Sequence, residues 1–304
     1  MTAIIRITRA GPMATIQDAG RFGALHHGIS ASGPMDRGAF ERAGAAFINA
    51  GAEAVEFTQA GLAFAVVEGH LRARGEGGAF SLSVNGSPRE WPAELGLGAG
   101  DTVDITPGAS GNYGYLRFDH AIDVPAVIGS RATNMVASLG GLDGRALRRG
   151  DQLTLIPSTG EDNESTGTMP HLADDGPIRF VWGLHADLFT PASRQAFLGS
   201  GFVVSTRLDR MGVRLDDPSG VFAGAPILSL VSDAIVPGDM QILGDGTPIV
   251  LMRDHQPTGG YPRIATVISA DLDRFAQMRP GTTLAFAPVG LHKARALFLA
   301  SRKP

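Results

Sequence analysis

The densest set of chemically capable residues lies late in the chain. Asp254-His255-Gln256-Pro257-Thr258-Gly259-Gly260-Tyr261-Pro262 (DHQPTGGYP) separates two apolar runs, PIVLM (248–252) and IATVI (264–268). A hairpin needs only about two to five loop residues, so this longer polar segment asks for another purpose. Asp254 follows a strand, a common place for a catalytic carboxylate. Gln256 and Thr258 offer neutral donors and acceptors. Gly259 and Gly260 let backbone approach a ligand closely, and Tyr261 can cover it. The competing reading is a loop that spends these groups on its own hydrogen bonds.

Three other stretches carry similar potential. AGPMATIQDAGRFG (10–23) brings Gln17, Asp18 and Arg21 together between glycines. Asp18 and Arg21 can form a local ion pair, or Arg21 can present its planar fork to a carboxylate or phosphate. HHGISASGPMDR (26–37) places Ser30, Ser32 and Gly33 before a helix start, either as an ordinary cap or as an anion site on free backbone N–H groups. Its His26-His27 pair is a weak metal signal, because adjacent histidines rarely converge on one ion, and no metal site is expected. RLDRMGVRL (207–215) clusters Arg207, Arg210 and Arg214 with Asp209, as a charged turn or as a basic rim for an anionic substrate.

Composition narrows the chemistry. The chain has 304 residues, 43% of them hydrophobic and 18% charged, so it must fold, and its length favours two domains. A net charge of −4 gives no general attraction to nucleic acid or to anionic membranes. The absence of cysteine removes thiolate nucleophiles, zinc–thiolate sites and iron–sulfur clusters. Lys293 and Lys303 are the only lysines, which excludes a lysine-bearing phosphate loop and a biotinylated lysine. No leader pattern or membrane-length apolar run stands out, so the expected location is the cytoplasm.

The elements that must position these residues are mostly strands. Short apolar runs such as AIIRI (3–7), LAFAVVEG (62–69), TVDIT (102–106), IRFVWG (178–183) and TLAFAP (283–288) alternate with glycine and proline. The spacing predicts helices over 34–48, capped by Ser32 or Gly33, and over 190–198, 271–278 and 291–302. The acidic stretch 158–177 reads as a linker between domains 1–157 and 178–304. A faint echo among LGAGDTVDI (97–105), LRRGDQLTLI (147–156) and MRPGTTLAF (278–286) fits two similar halves.

Taken together, GPMATIQDAGRFG, GISASGPMDR, IDVPAVIGSRAT with GGLDGRALRRGD, DRMGVRL and the run from VPGDMQIL through DHQPTGGYPRIATVI resemble the allophanate hydrolase subunit 2 family. That family is also called the biotin-dependent carboxyltransferase family, KipA or the 5-oxoprolinase C subunit family. The resemblance runs in order from about residue 10 to residue 288. It departs at Asp209, where the family usually has asparagine, and at His255 and Pro257, where it usually reads arginine and threonine.

The resemblance implies a mainly β fold: two tandem cyclophilin-like β-barrel domains with a few short helices. It implies a KipI-like subunit 1 (the B subunit) as partner, together with an A subunit, and an active cleft shared with the partner. The expected activity is ATP-dependent cleavage of 5-oxoproline to glutamate by the complex, with ATP as cofactor and no biotin attached to this chain. The alternatives are a carboxyltransferase acting on urea or a related small amide with carboxybiotin, and a KipA-type regulator that binds a kinase inhibitor. In either enzymatic reading, Arg21, Arg210 and the backbone near Gly259 would stabilise a developing oxygen anion, and Asp18 or Asp254 would handle the proton. Gln17, Ser32, Gly33, Met35, Asp36, Gln256, Thr258, Gly259, Gly260 and Tyr261 would bind the substrate.

Overall fold

The computed structural model describes residues 1–47, 51–158, 176–224 and 229–301. The chain forms two compact units. One holds Met1–Phe22 and the described residues from Ala31 to Ser158; the other holds Gly23–Ser30 and the described residues from Gly176 to Ser301. Residues 23–30, expected with the first domain, thus group with the second unit. The expected linker 158–177 lies outside the described residues except at its ends.

The first unit wraps two antiparallel sheets around one core. The first sheet runs His120–Ile122, Gln152–Pro157, Ala3–Ala10, Leu62–Glu68, Thr102–Pro107, Phe80–Val84, Ser87–Arg89. The second runs Thr15–Gln17, Ala54–Thr58, Tyr113–Phe118, His70–Gly77, Ala93–Gly98. The chain changes sheet at almost every turn: Gly69 alone separates Leu62–Glu68 from His70–Gly77, and Asp119 alone separates Tyr113–Phe118 from His120–Ile122. Such short corners force the sheets to share edges and enclose their inward faces. Sequence alternation selects those faces: Ala3, Ile5 and Ile7 are buried while Arg6 is exposed. Phe57, Phe80 and Trp91 meet edge to face, with Phe57 and Phe80 centroids 5.0 Å apart.

The second unit is built on one sheet in the order Thr283–Leu284, Phe202–Leu208, Gly212–Asp216, Pro248–Leu251, Asp239–Ile242, Arg263–Val267, Ile178–Trp182, Phe286–Pro288. Its two outermost strands are separated in sequence only by Ala285. One continuous chain segment therefore supplies both ends, and the sheet must curl until its edges nearly meet. The last pair, Ile178–Trp182 with Phe286–Pro288, is parallel and the other described pairs are antiparallel.

Helix Pro191–Gly199 starts on Thr190, whose hydroxyl accepts from the Ser193 N–H at 3.0 Å, as the Thr-Pro pattern predicts. It delivers Phe197, fully buried, into a ring cluster with Phe180, Phe202, Phe222 and Phe286. Helices Ser269–Ala276 and Leu291–Ala300 also fall where the pattern predicts them. Helix Arg37–Ala45 begins later than expected, and its cap is Asp36, which accepts from Ala39 N–H at 2.8 Å. Ser32 and Gly33 both take positive φ, 56° and 83°, so they form the turn before the helix rather than its cap. The architecture is mainly β with short helices, as the sequence predicts.

Phe197→Ala would leave a cavity among five aromatic rings, these four and Trp182. It should lower the unfolding free energy by about 3–5 kcal/mol, measured by urea denaturation; a loss of well under 1 kcal/mol would contradict this packing.

Candidate functional site

The residues singled out from sequence fall into two groups, one in each unit. In the first unit, Gln17, Asp18 and Arg21 follow strand Ala3–Ala10 and end the short strand Thr15–Gln17 or extend beyond it. Asp18 accepts three hydrogen bonds: from Gly20 N–H (2.9 Å) and Ser130 Oγ–H (2.7 Å) on Oδ1, and from Arg131 N–H (2.6 Å) on Oδ2. Arg21 is buried, with Nε donating to Val127 O (2.8 Å) and Nη2 to Ser130 O (3.2 Å) and Ala132 O (2.9 Å). Both side chains close on one segment, 127–132, which contains Ile128 and Gly129 at positive φ of 51° and 75°. A β-branched residue in that conformation is strained, and the grip of Arg21 on Val127 and Ser130 holds the turn shut around it.

Asp18 is filled with protein donors and Arg21 is spread over main-chain carbonyls, so each holds the 127–132 loop in place. Gln17 is likewise committed: its Nε2 donates to Thr15 Oγ1 and Thr133 O, both at 3.0 Å, and its Oε1 accepts from Gly33 N–H at 3.1 Å. The backbone N–H expected to receive an anion at Gly33 is therefore occupied by an amide. The negatively charged Asp36 cap also makes the helix start a poor place for an anion.

Met35 is buried in the core, so its side chain is a packing residue. Its N–H donates to Glu56 Oε2 at 2.9 Å, and the Tyr115 hydroxyl donates to the same oxygen at 2.7 Å while accepting from Asp36 N–H at 2.8 Å. Burial, followed by the charges of Glu56 and Asp36, pushes the Tyr115 hydroxyl well above its ordinary range, so it stays protonated and able to donate. The sequence signal for Glu56 was available: a carboxylate inside the wholly buried strand AVEFT. Ser32 differs from its neighbours. It is buried, and its Oγ meets no hydrogen-bond partner in the described structure.

In the second unit, Arg210 and Asp254 form a fully buried ion pair. Arg210 Nε lies 2.9 Å from Asp254 Oδ2 and Nη2 lies 3.2 Å from Oδ1, while Asp254 N–H donates to Arg210 O at 2.7 Å. Side chain and backbone thus tie the turn 209–211 to the beginning of the DHQPTGGYP segment. The two expected catalytic groups are paired with each other, which pins the start of the segment. Asp209, the departure from the family pattern, closes that turn by accepting from Met211 N–H (2.7 Å) and Gly212 N–H (3.1 Å). An exposed carboxylate performs this as well as an amide oxygen would.

Beyond the pin, Thr258–Gly259 pairs with Asp233–Ala234, Leu230 N–H donates to Gly260 O at 2.7 Å, and Ile235 N–H donates to Pro257 O at 3.3 Å. The glycines have a structural reason. A Cβ on Gly259 would lie 2.2 Å from Gln241 Nε2, and one on Gly260 would lie 2.9 Å from Leu230 O. Arg263 braces the far end, donating to Ala234 O (2.7 Å), Asp233 Oδ2 (2.8 Å) and Asp239 Oδ2 (3.2 Å). What remains accessible is Gln256, Thr258 and Tyr261, the last 41% exposed. Sequence reading missed His255 and His185. Burial lowers both below the ordinary histidine value, for His185 with help from the Arg263 charge.

Comparison with known proteins assigns the family. The profile of the carboxyltransferase domain, subdomain A and B, matches residues 27–288, and the chain belongs to that family. It is 35% identical to the 5-oxoprolinase C subunit of Escherichia coli over 293 residues, spanning 96% of this chain and 93% of that protein. It is 30% identical to the urea amidolyase of Lachancea kluyveri over 96% of this chain, which spans only 17% of that protein. Among solved structures, the Kluyveromyces lactis urea carboxylase superposes with a TM-score of 0.86 at 24% identity, over 98% of this chain and 28% of that one; this likeness concerns the fold alone.

Two measurements test the electrostatics. Asp254→Ala would strand the Arg210 cation in the interior and should cost about 3–5 kcal/mol of stability, read from urea denaturation; an unchanged midpoint would refute the pinning role. A histidine held neutral by burial makes the folded chain bind fewer protons than the unfolded chain below its ordinary pKa of about 6.5. Stability should therefore fall between pH 7 and pH 5, and fall less in His255→Gln; equal losses would contradict the burial of His255.

Proposed function

We propose that this chain is the C subunit of an ATP-dependent 5-oxoprolinase. It acts with a KipI-like B subunit and an A subunit to cleave 5-oxoproline to glutamate. The observation that carries the reading is the 35% identity to the Escherichia coli protein across nearly the whole of both chains. The chemistry fits the chain's inventory. A lactam of this kind is a small, polar ring bearing a carboxylate, and its cleavage needs positioned donors and acceptors more than redox groups or metal ligands. The accessible Gln256, Thr258 and Tyr261 of the second unit are the binding groups proposed to face substrate. Arg210 and Asp254 hold the start of the segment that carries these groups. ATP is used by the complex, and this chain carries no lysine-bearing phosphate loop, its only lysines being Lys293 and Lys303. Among the described residues no helix is long and apolar enough to cross a membrane, and a cytoplasmic location is proposed.

A second reading is favoured by the family profile and by the urea amidolyase relative: a carboxyltransferase-type subunit that transfers CO2 from carboxybiotin to urea or a related amide. Both readings share a small amide substrate and a partner chain.

The test is reconstitution of this chain with its two partner proteins, the KipI-like B subunit and the A subunit, following glutamate release from 5-oxoproline. Release that requires ATP and all three proteins is the expected result. No release, with carboxylation of urea in a parallel assay with carboxybiotin, would overturn the oxoprolinase reading in favour of the second.

A further inference from the structure

The two carboxylates that the sequence nominates for proton and ligand chemistry are both filled by protein donors. The residue after Asp254 is not. His255 is 5% exposed, and its Nδ1 lies 2.6 Å from Gln256 O. A carbonyl oxygen only accepts, so Nδ1 carries the proton and Nε2 carries a lone pair. Among the described residues no donor meets Nε2. The ring is largely buried, yet Nε2 is not among the buried atoms that lack a partner, so this acceptor reaches solvent and stays open to a ligand donor.

The surroundings make the ring a prepared group. Its own neighbour's carbonyl fixes the tautomer, the His255 backbone N–H donates to Met252 O at 3.3 Å, and the Arg210–Asp254 pair anchors the preceding residue. The charged groups that face it are Asp239, Asp254 and Arg253. Burial outweighs the two carboxylates and holds the imidazole below its ordinary value, so the lone pair is available at neutral pH. Next along the chain come Gln256 and Thr258, two of the accessible polar groups of the same segment.

We propose that His255 Nε2 is a substrate-binding acceptor that takes a hydrogen bond from the N–H of a small amide or lactam, and so selects substrates that carry that N–H. The inference deepens the proposed function and rests on it for the identity of the lactam. A site built to pair a substrate N–H discriminates against analogues lacking it, because the bound analogue covers the acceptor and leaves it unpaired.

The experiment compares the reconstituted complex carrying wild-type chain, His255→Ala or His255→Gln, with 5-oxoproline and its N-methyl analogue. Glutamine sets its amide oxygen close to the position of Nε2 and does not titrate. With 5-oxoproline, H255A should raise KM about tenfold to a hundredfold, the loss of one hydrogen bond, and H255Q should recover most of it. The wild-type preference for the N–H substrate over the N-methyl analogue should shrink by the same factor in H255A. KM for the wild type should rise as pH falls through the imidazole pKa, and H255Q should lack that rise; should H255A fail to fold, this comparison carries the test. A wild-type complex active on 5-oxoproline with KM and N-methyl discrimination unchanged in both variants overturns the inference and leaves the function standing. If the complex acts on urea instead, the KM for urea decides in the same way, a rise in H255A supporting the acceptor and no change overturning it. A complex inert on both substrates overturns the function and the inference together.

Discussion

A charge removed from water must meet a partner, and most of this molecule's polar design follows from that constraint. Arg210 and Asp254 are both buried and each is the other's counter-ion. Their mutual bidentate contact fixes the distance between the turn 209–211 and the start of the DHQPTGGYP segment. Everything after Asp254 inherits its position from that pin. In the first unit the same constraint acts through Arg21 and Asp18. There the partners are main-chain groups of 127–132, and the outcome is again a loop held in a conformation its own residues would not choose.

Residues that look catalytic in sequence thus divide by burial. Those with strong charge and deep burial are spent on protein. The weaker groups, amide, hydroxyl, phenol and imidazole, are the ones proposed to meet a ligand. This suits a substrate whose reacting group is a neutral amide, since recognising one needs an acceptor for N–H and donors for C=O more than a formal charge. The glycines fit the same scheme: Gly259 and Gly260 are small because Gln241 and Leu230 press against the segment from the protein side.

Much of the fold was legible. The period-two runs gave the strands because one face of each is buried, and Thr190-Pro191 announced its helix because the hydroxyl replaces a missing backbone partner. The start of helix Arg37–Ala45 was misplaced because a carboxylate four residues on from Ser32 caps better than a serine held at positive φ. The segments of the site were legible as segments, but the roles within them were not. Whether Asp254 faces substrate or arginine depends on Arg210, 44 positions away in sequence. Whether Arg21 binds an anion depends on carbonyls more than a hundred positions on. His255 was overlooked for a related reason: its value comes from what does not contact Nε2, and spacing carries no trace of that.

The central claim is that the Arg210–Asp254 pair frames the site and takes no part in the chemistry. The double replacement Arg210→Met with Asp254→Leu removes both charges while filling similar volume, a change that buried ion pairs commonly tolerate. The measurement is kcat for glutamate release by the reconstituted complex carrying this variant, alongside its urea midpoint. The account predicts a folded protein with kcat within about tenfold of wild type. A stably folded double variant whose kcat falls by about a thousandfold or more would contradict it and return the pair to the catalytic machinery.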